Sequence, residues 1–120
     1  MKPELQKRLV KFSSSIIGIE NHLIRGIAPR HLYTQIIRSS SSAALNYGEA
    51  QTAETRKDFI HKLGIVLKEL KETEVNLELI LESKLFKQET AVVNSLNECK
   101  ELIAIFMATI KTAKKNDAGG

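Results

Sequence analysis

The sequence predicts an all-α protein, an antiparallel up-down-up-down left-handed four-helix bundle. In four segments, apolar residues recur at alternating steps of three and four, which places them on one face of each helix. Both prolines, Pro3 and Pro29, lie outside the interiors of these segments, so the helices can be long. The connections are short, which makes neighbouring helices antiparallel, and near-heptad spacing favours shallow left-handed crossings.

The composition is consistent with one soluble domain. A chain of 120 residues with 42% hydrophobic residues can form a single core, and the absence of tryptophan means that Leu, Ile, Val and Ala must build most of it. We expect the bundle to cover residues 1–115 and residues 116–120 to form a disordered tail.

The first helix is predicted over about residues 3–24. Pro3 suits the first helical position, where its missing N–H would have no partner in any case. Val10 and Ile17 widen the apolar face of this helix. The face itself consists of Leu5, Leu9, Phe12, Ile16, Ile19 and Leu23.

The second helix is predicted over about residues 29–51, with Pro29 at its start. Its middle is rich in small side chains, which allow a neighbouring backbone to approach closely. We therefore expect the tightest packing of the bundle here. The inward face consists of Leu32, Ile36, Ser39, Ala43, Asn46 and Ala50.

The third and fourth helices are predicted over about residues 53–82 and 87–114. Thr52 is the expected N-cap of the third, because its hydroxyl can accept from a free backbone N–H. The third helix has the inward face Phe59, Leu63, Val66, Leu70, Thr73, Leu77 and Ile80, and the fourth has Val92, Leu96, Cys99, Ile103, Phe106, Ile110 and Ala113.

The positive charge of the chain is concentrated in its first third. Residues 1–38 contain seven Lys or Arg against two Glu, whereas residues 39–82 contain five against eight acidic residues. One interpretation is that these residues form ordinary solvated helix faces. The other is that they form a basic surface for nucleic acid, and a homo-oligomer would multiply the positive electrostatic field of that surface. Because aromatic side chains that could stack on bases are scarce, binding would depend on contacts to the phosphate backbone of the nucleic acid and would be sensitive to salt. The candidate contacts are Lys2, Lys7, Arg8, Lys11, Arg25 and Arg30.

A second candidate feature is a row of polar residues on the second helix, with possible partners on the third. Arg38, Ser42 and Glu49 share one helix face, and Glu72 and Glu74 are candidate partners for Arg38. One interpretation is a structural network that sets the register of the bundle, and the other is a polar patch at a subunit interface or pore. The proposed network is Arg38, Ser42, Asn46, Glu49, Glu72 and Glu74.

Catalytic, metal and cofactor motifs are not found in the sequence. Di-iron bundles need repeated Glu-x-x-His pairs, and the nearest match is the single segment 58–61, with Asp58 and His61. Cys99 lies on an apolar face, where cysteine is usually a small buried hydrophobe. We expect a protein without enzymatic activity, metal, cofactor or small-molecule substrate.

The chain also lacks features of secretion and membrane insertion. A single cysteine excludes an internal disulfide and fits a reducing compartment. No apolar run reaches the length of about 18 residues that a membrane span needs, and the N-terminus does not resemble a signal peptide. We expect a cytoplasmic protein.

About forty residues resemble a known family. The resemblance begins in the second helix and continues through the segments 57–63 and 67–73. Its individual matches are Gln35, Arg38, Ser42, Asn46, Glu49, Asp58, Phe59, Leu63, Ile65, Leu70, Glu72, Glu74 and Leu77. These residues are similar to those of the proteins encoded in intervening sequences of bacterial 23S ribosomal RNA genes, often called S23-like ribosomal proteins. Two departures stand out: residues 46–50 read Asn-Tyr-Gly-Glu-Ala where members commonly have Asn-Ile-Ala-Glu-Gly, and Asn76 replaces a frequent tryptophan.

The resemblance implies a small bacterial cytoplasmic four-helix bundle that forms a ring-like homopentamer and has no known enzymatic activity. A related branch provides the accessory variability protein of diversity-generating retroelements, which binds a reverse transcriptase and nucleic acid. The partners expected for this chain are therefore RNA or DNA bound through the basic residues, or a protein for which the chain acts as a scaffold.

Overall fold

The computed structural model describes residues 3–119, with side chains for residues 4–116. Its helices are α1 (Pro3–Gly18), α2 (Ile27–Gln51), α3 (Arg56–Glu82) and α4 (Glu89–Gly119), and a short 3₁₀ helix (Ile19–His22) follows α1. Within the described residues no β-strand forms; a single bridge joins two connections. The predicted all-α class is confirmed.

The four helices form a bundle around one core. Each helix packs against its neighbours in sequence, and α1 also packs against α4, which completes an up-down-up-down arrangement. The pairing of α2 with α3 is the most extensive, whereas the seam between α1 and α4 is the thinnest of the four. The molecule measures 52 × 22 × 21 Å. The long axis fits α4, whose 31 residues span about 46 Å at the usual rise of an α-helix.

The core consists mainly of the inward faces that the apolar spacing predicts. Phe12 and Phe106 are its largest fully buried side chains, and the Tyr47 ring packs edge-on against Phe106 at a centroid distance of 5.4 Å. Small residues complete the α2 face, where Ser39, Ser40 and Ala43 are buried. Since short side chains permit close approach, they fit the extensive packing of α2 on α3.

The apolar face of α1 is narrower than the sequence suggests. Val10 and Ile17 were expected to widen it, but they are 55% and 54% exposed. Each lies one turn after a residue that contacts α2, because Gln6 donates to the Ala44 carbonyl and Ser13 meets Ser40. Helical spacing therefore carries Val10 and Ile17 past the edge of the α1–α2 contact and towards solvent.

The first two helices differ at their ends from the predicted bounds. The first α-helix ends at Gly18 instead of residue 24, and the 3₁₀ helix continues from it to His22. The helical backbone stops there because Leu23 is extended and pairs with Phe86. The second begins at Ile27, since Gly26, at φ 145°, turns the chain just before it. Pro29 therefore lies within the first turn, where its missing N–H leaves no helical hydrogen bond unmade.

The third helix begins three residues later than predicted. Thr55, not Thr52, is the N-cap, and its hydroxyl accepts from the Asp58 N–H at 3.0 Å. Thr52 instead donates to the Glu49 carbonyl at the end of α2. Two threonines three residues apart can both cap a helix, and the sequence does not distinguish them.

The last helix begins at Glu89 and continues to Gly119. The sequence placed the end of this helix near residue 114 and a disordered tail at 116–120. No proline lies between residues 114 and 118, so nothing in the backbone prevents the helical hydrogen bonds from continuing there. Gly120 lies outside the described residues.

At one end of the bundle, the two connections that follow the 3₁₀ helix and α3 are joined by backbone hydrogen bonds. Leu23 and Phe86 form an antiparallel bridge, the Ile24 N–H donates to the Leu85 carbonyl at 3.1 Å, and the Lys87 N–H donates to the His22 carbonyl at 2.7 Å. This pairing fixes the two connections relative to each other. Within residues 3–119, no helix is both long and apolar enough to cross a membrane.

Candidate functional site

The basic residues of α1 fall into two groups. Lys7 and Lys11 are exposed and lie one turn apart, and neither forms an ion pair within the described part of the chain. Both are therefore available to an external anion. Lys2, the remaining lysine predicted here, lies outside the described residues.

Arg8 is held by two carboxylates of α4. Its Nε and one of its terminal nitrogens donate to Glu98, both at 2.8 Å, and the second of these also donates to Glu101 at 3.2 Å. The hydrogen bonds and charges of these carboxylates raise the pKa of Arg8 above its usual value, led by the bond to Glu98. Arg8 thus links α1 to α4 across their thin seam, and its charge is locally balanced.

Arg25 and Arg30 lie at the bundle end where the two connections are joined. Both are exposed, and neither forms an ion pair among residues 3–119. Nearby, the Tyr33 hydroxyl donates to the Ile17 carbonyl at 2.7 Å. Burial raises the pKa of Tyr33, and the charge of Glu20 adds to this effect. The predicted basic residues are therefore split between the side and one end of the bundle.

In the polar row of α2, Arg38 connects α2 to α3. It donates to Glu72 at 2.8 Å and to Glu69 at 3.5 Å. The hydrogen bond to Glu72 and the charge of Glu69 raise the pKa of Arg38, and Arg38 in turn lowers the pKa of Glu72. Glu69 is buried, and its Oε1 has no hydrogen-bond partner.

The other members of the row form separate local contacts. The Asn46 amide donates to the Ser42 carbonyl at 2.9 Å and to the Ser42 hydroxyl at 3.1 Å, both within α2. Glu49 accepts from Lys62 of α3 at 2.7 Å, which raises the pKa of Lys62. Glu74 forms no described hydrogen bond with Arg38. The structure therefore brings Arg38 and Glu72 together, but it does not join all six residues in one network.

A groove of about 870 Å³ runs along the outer surface between α2 and α3, beside Arg38 and Glu72. Its lining includes apolar and small residues of α3, among them Gly64, Leu67 and Val75. Val75 is more than half exposed. The groove thus places exposed apolar surface next to the charged groups of the polar row, which is a combination suited to a protein contact.

The candidate metal and nucleophile residues are not assembled into a site. Cys99 is buried and its thiol donates to the Leu70 carbonyl at 3.2 Å. Burial, with a smaller effect of the charge of Glu74, raises the pKa of the Cys99 thiol to about 12. Among residues 3–119, no three His, Cys, Asp or Glu side chains are grouped so that they could hold a metal ion.

The sequence pattern did not indicate several charged residues that matter to these contacts. Glu98 and Glu69 directly precede the inward residues Cys99 and Leu70, so helical spacing places them at the edge of the inward face, near the neighbouring helix. Lys87 could have been found from topology. In an up-down-up-down bundle the first and third connections lie at the same end, which brings Lys87 near Arg25.

Comparison with known proteins identifies a family and a structural relative. A sequence profile of the family described as 23S rRNA-intervening sequence protein matches residues 3–108. The fold is similar to the crystal structure, at 1.70 Å resolution, of a protein of unknown function from the S23 ribosomal protein family of Bacteroides thetaiotaomicron. The TM-score is 0.78 and the identity 29%, over 89% of this chain and 98% of the other. No curated protein matches the chain.

Proposed function

The chain belongs to the 23S rRNA-intervening sequence protein family, and from this membership we propose that it is a non-enzymatic cytoplasmic protein that assembles as a homopentamer and binds RNA through basic surfaces. The observation that supports RNA binding is the availability of Lys7, Lys11, Arg25 and Arg30. None of these four forms an ion pair among residues 3–119. All lie in the segment with the greatest excess of positive charge.

Binding of this kind depends on the phosphate backbone. Each contacted phosphate releases condensed counterions, so affinity falls steeply as salt rises. A monomer offers few such contacts, and a pentamer would repeat them five times around a ring. Arg8 contributes little to this surface, because Glu98 and Glu101 already balance its charge.

The test measures the solution mass by light scattering, alone and with a structured ribosomal RNA fragment, across a salt series. We expect a pentamer that takes up RNA at low salt and releases it as salt rises. A Lys7→Ala/Lys11→Ala variant should weaken binding and reduce the salt slope by about two for each subunit that contacts the RNA. The matched control is Lys57→Ala/Lys100→Ala, which removes the same charge from exposed positions elsewhere.

A second candidate function is supported by the groove between α2 and α3. Here the protein acts as a scaffold or accessory module for a protein partner such as a reverse transcriptase, without contacting nucleic acid itself. Apolar residues at the groove, with Arg38 and Glu72 beside them, offer a contact of mixed character.

A pull-down after nuclease treatment distinguishes the two functions. Recovery of a partner that Val75→Asp abolishes, with the mass of the assembly unchanged, would favour the scaffold. Loss of all partners on nuclease treatment would favour RNA binding. An indifference of the pentamer to RNA at low salt would contradict the first proposal, and a monomeric mass would contradict the assembly. If the purified protein contained stoichiometric metal, this would favour an enzyme or metal protein and contradict the proposed non-enzymatic function.

A further inference from the structure

The end of the bundle that contains the two joined connections also contains a cavity of about 440 Å³. We call this cavity the bundle-end pocket; its lining includes Arg25, Arg30, Lys87, Glu20 and Tyr33. The three cations come from different parts of the chain: Arg25 precedes α2, Arg30 lies in its first turn, and Lys87 lies in the connection between α3 and α4. The pocket volume lies within the range of about 300–1,000 Å³ that is typical of small ligand sites.

Backbone hydrogen bonds fix the points from which the Arg25 and Lys87 side chains extend. Lys87 donates its own N–H to the His22 carbonyl, and Arg25 directly follows Ile24, whose N–H donates to Leu85. These bonds hold Arg25 and Lys87 at the same end of the bundle by main-chain contacts alone. Because this part of the backbone is already fixed, binding has to order only the side chains.

The cations of the pocket differ from the paired cations elsewhere in the chain. Arg8, Arg38 and Lys62 each donate to a carboxylate of a neighbouring helix. Arg25, Arg30 and Lys87 form no ion pair within residues 3–119, although they line one cavity. Glu20 is the acidic residue in the lining, so the cavity holds an excess of positive charge that an anion would balance.

We propose that the bundle-end pocket binds the terminal phosphate of an RNA strand. This proposal rests on the proposed RNA-binding function and specifies one of its contacts. A terminal phosphate monoester carries about −1.5 to −2 charges at neutral pH, whereas a phosphodiester within the strand carries one. Three cations and one carboxylate leave an excess of two positive charges, which matches the monoester. Arginine adds geometric fit, because its planar guanidinium can donate two parallel hydrogen bonds to phosphate oxygens.

The test compares one RNA sequence with a 5′-phosphate, with a 3′-phosphate and with hydroxyls at both ends, by fluorescence anisotropy at fixed salt. We expect a terminal phosphate to tighten binding roughly tenfold, the effect of about one charge-assisted hydrogen bond. Tightening by only one of the two phosphates would identify which end enters the pocket, and tightening by both would indicate the phosphate group alone. Either result supports the proposal.

Two variants and a control locate the effect. Arg25→Gln/Lys87→Gln should remove the preference for a phosphorylated end, and Lys57→Gln/Lys100→Gln should keep it. Glu20→Gln should increase the preference, and a loss of folding cannot mimic this gain. The backbone bonds that join the connections do not involve these side chains, so circular dichroism and solution mass should match those of the wild type.

The outcomes separate the pocket from the wider function. If RNA binding depends on salt but is equal for phosphorylated and hydroxyl ends, the proposal for the bundle-end pocket is wrong and the proposed RNA-binding function stands. A preference that survives in Arg25→Gln/Lys87→Gln, or that does not rise in Glu20→Gln, overturns the pocket as well. An absence of any RNA binding overturns both proposals.

Discussion

The buried polar side chains of this bundle make short contacts between helices. Ser39 of α2 and Thr73 of α3 are fully buried, and their hydroxyl oxygens lie 2.6 Å apart. Thr73 also donates to the Glu69 carbonyl at 2.9 Å, so Ser39 is the donor between the two. Buried polar groups cost free energy unless they are paired. These residues can therefore occupy inward positions that the apolar spacing would assign to larger hydrophobes.

Replacing Thr73 should be more harmful than replacing Ser39. Thr73→Val leaves the Ser39 hydroxyl buried without its acceptor, so we expect the free energy of unfolding to fall by about 1–3 kcal/mol. Ser39→Ala removes the donor itself, and Thr73 keeps its bond to Glu69, so the loss should be about 1 kcal/mol. The double variant should lose less than the sum. Urea unfolding measures all three, and strict additivity would contradict the pairing.

The buried thiol of Cys99 should make stability depend on alkaline pH. Its pKa is raised from 9.0 to about 12 in the folded state, so the folded protein holds this proton more strongly than the unfolded chain. The resulting stability is complete below about pH 9 and is lost as pH rises towards about 12, with a slope of at most about 1.4 kcal/mol per pH unit.

A Cys99→Ala variant is the control for this effect. The stability difference between wild type and variant should be constant below about pH 9 and shrink above it. Urea unfolding at a series of pH values measures the difference. A constant difference up to pH 11 would show that the thiol is not shielded as its burial indicates.

At the scale of the helices, the ends are determined by particular backbone contacts. Thr55 caps α3, and the far end of the same helix closes in a Schellman arrangement: the Leu85 N–H donates to the Ile80 carbonyl and the Lys84 N–H to the Leu81 carbonyl. Lys84 adopts a left-handed conformation there, at φ 53°. The chain leaves α3 in this way and enters the connection that pairs with Leu23.

The N-cap of α3 can be tested with two matched threonine variants. Thr55→Ala should lower the free energy of unfolding by about 1 kcal/mol, because the Asp58 N–H loses its acceptor. Thr52→Ala should have a smaller effect, since Thr52 donates to a carbonyl at the end of α2 and caps no N–H. Thermal or urea unfolding compares them, and a larger loss in Thr52→Ala would contradict the assigned cap.

Lys84→Gly should stabilise the protein. A side chain in the left-handed region costs about 1–2 kcal/mol. Glycine avoids this cost, but the greater freedom that it gives the unfolded chain lowers stability by about 0.5–1 kcal/mol. We therefore expect a gain of about 0.5–1 kcal/mol. The neighbouring Ser83→Gly is the control, because Ser83 has φ −84° and gains nothing from glycine. If Ser83→Gly proved the more stable of the two, the assignment of Lys84 would be wrong.

The whole molecule is packed unevenly. The α2–α3 pair is the most extensive of its helix contacts, while α1 meets α4 along a thin seam where Arg8 forms its ion pairs. The cations proposed to bind RNA lie outside the α2–α3 contact: Lys7 and Lys11 are on α1, and the cations of the bundle-end pocket are where the two connections meet. A well-packed half therefore supports a more loosely held helix that contains part of the basic surface.

Hydrogen exchange should reveal this uneven packing. We expect amides of α2 and α3 to exchange slowest and those of α1 fastest, because local opening follows the extent of packing. Glu98→Gln removes the negative charge and one of the two oxygens that accept from Arg8, so it should speed exchange in α1 while leaving α2 and α3 unchanged. Glu101→Gln, whose bond to Arg8 is longer and more exposed, is the control. Uniform exchange over the four helices would contradict this expectation.

Helical periodicity explains why much of the fold could be predicted. The inward positions of α3 and α4 are almost all buried as the spacing indicates, because a helix repeats its geometry every few residues regardless of its surroundings. Glu72 was predicted as one of two candidate partners of Arg38, and the structure brings it into contact. Thr55 and the end of α1 were not, since helix ends depend on contacts formed by a few residues outside the periodic pattern.

The sequence by itself determined the four helices, their inward faces, the family and the excess of positive charge in residues 1–38. Only the tertiary structure decided which charges are already balanced. Arg8 and Arg25 are equivalent in a count of basic residues, yet Arg8 meets two carboxylates of α4 and Arg25 shares a pocket with Lys87. The physical reason is that ion pairing depends on distances between side chains far apart in sequence, and these distances exist only once the helices have packed.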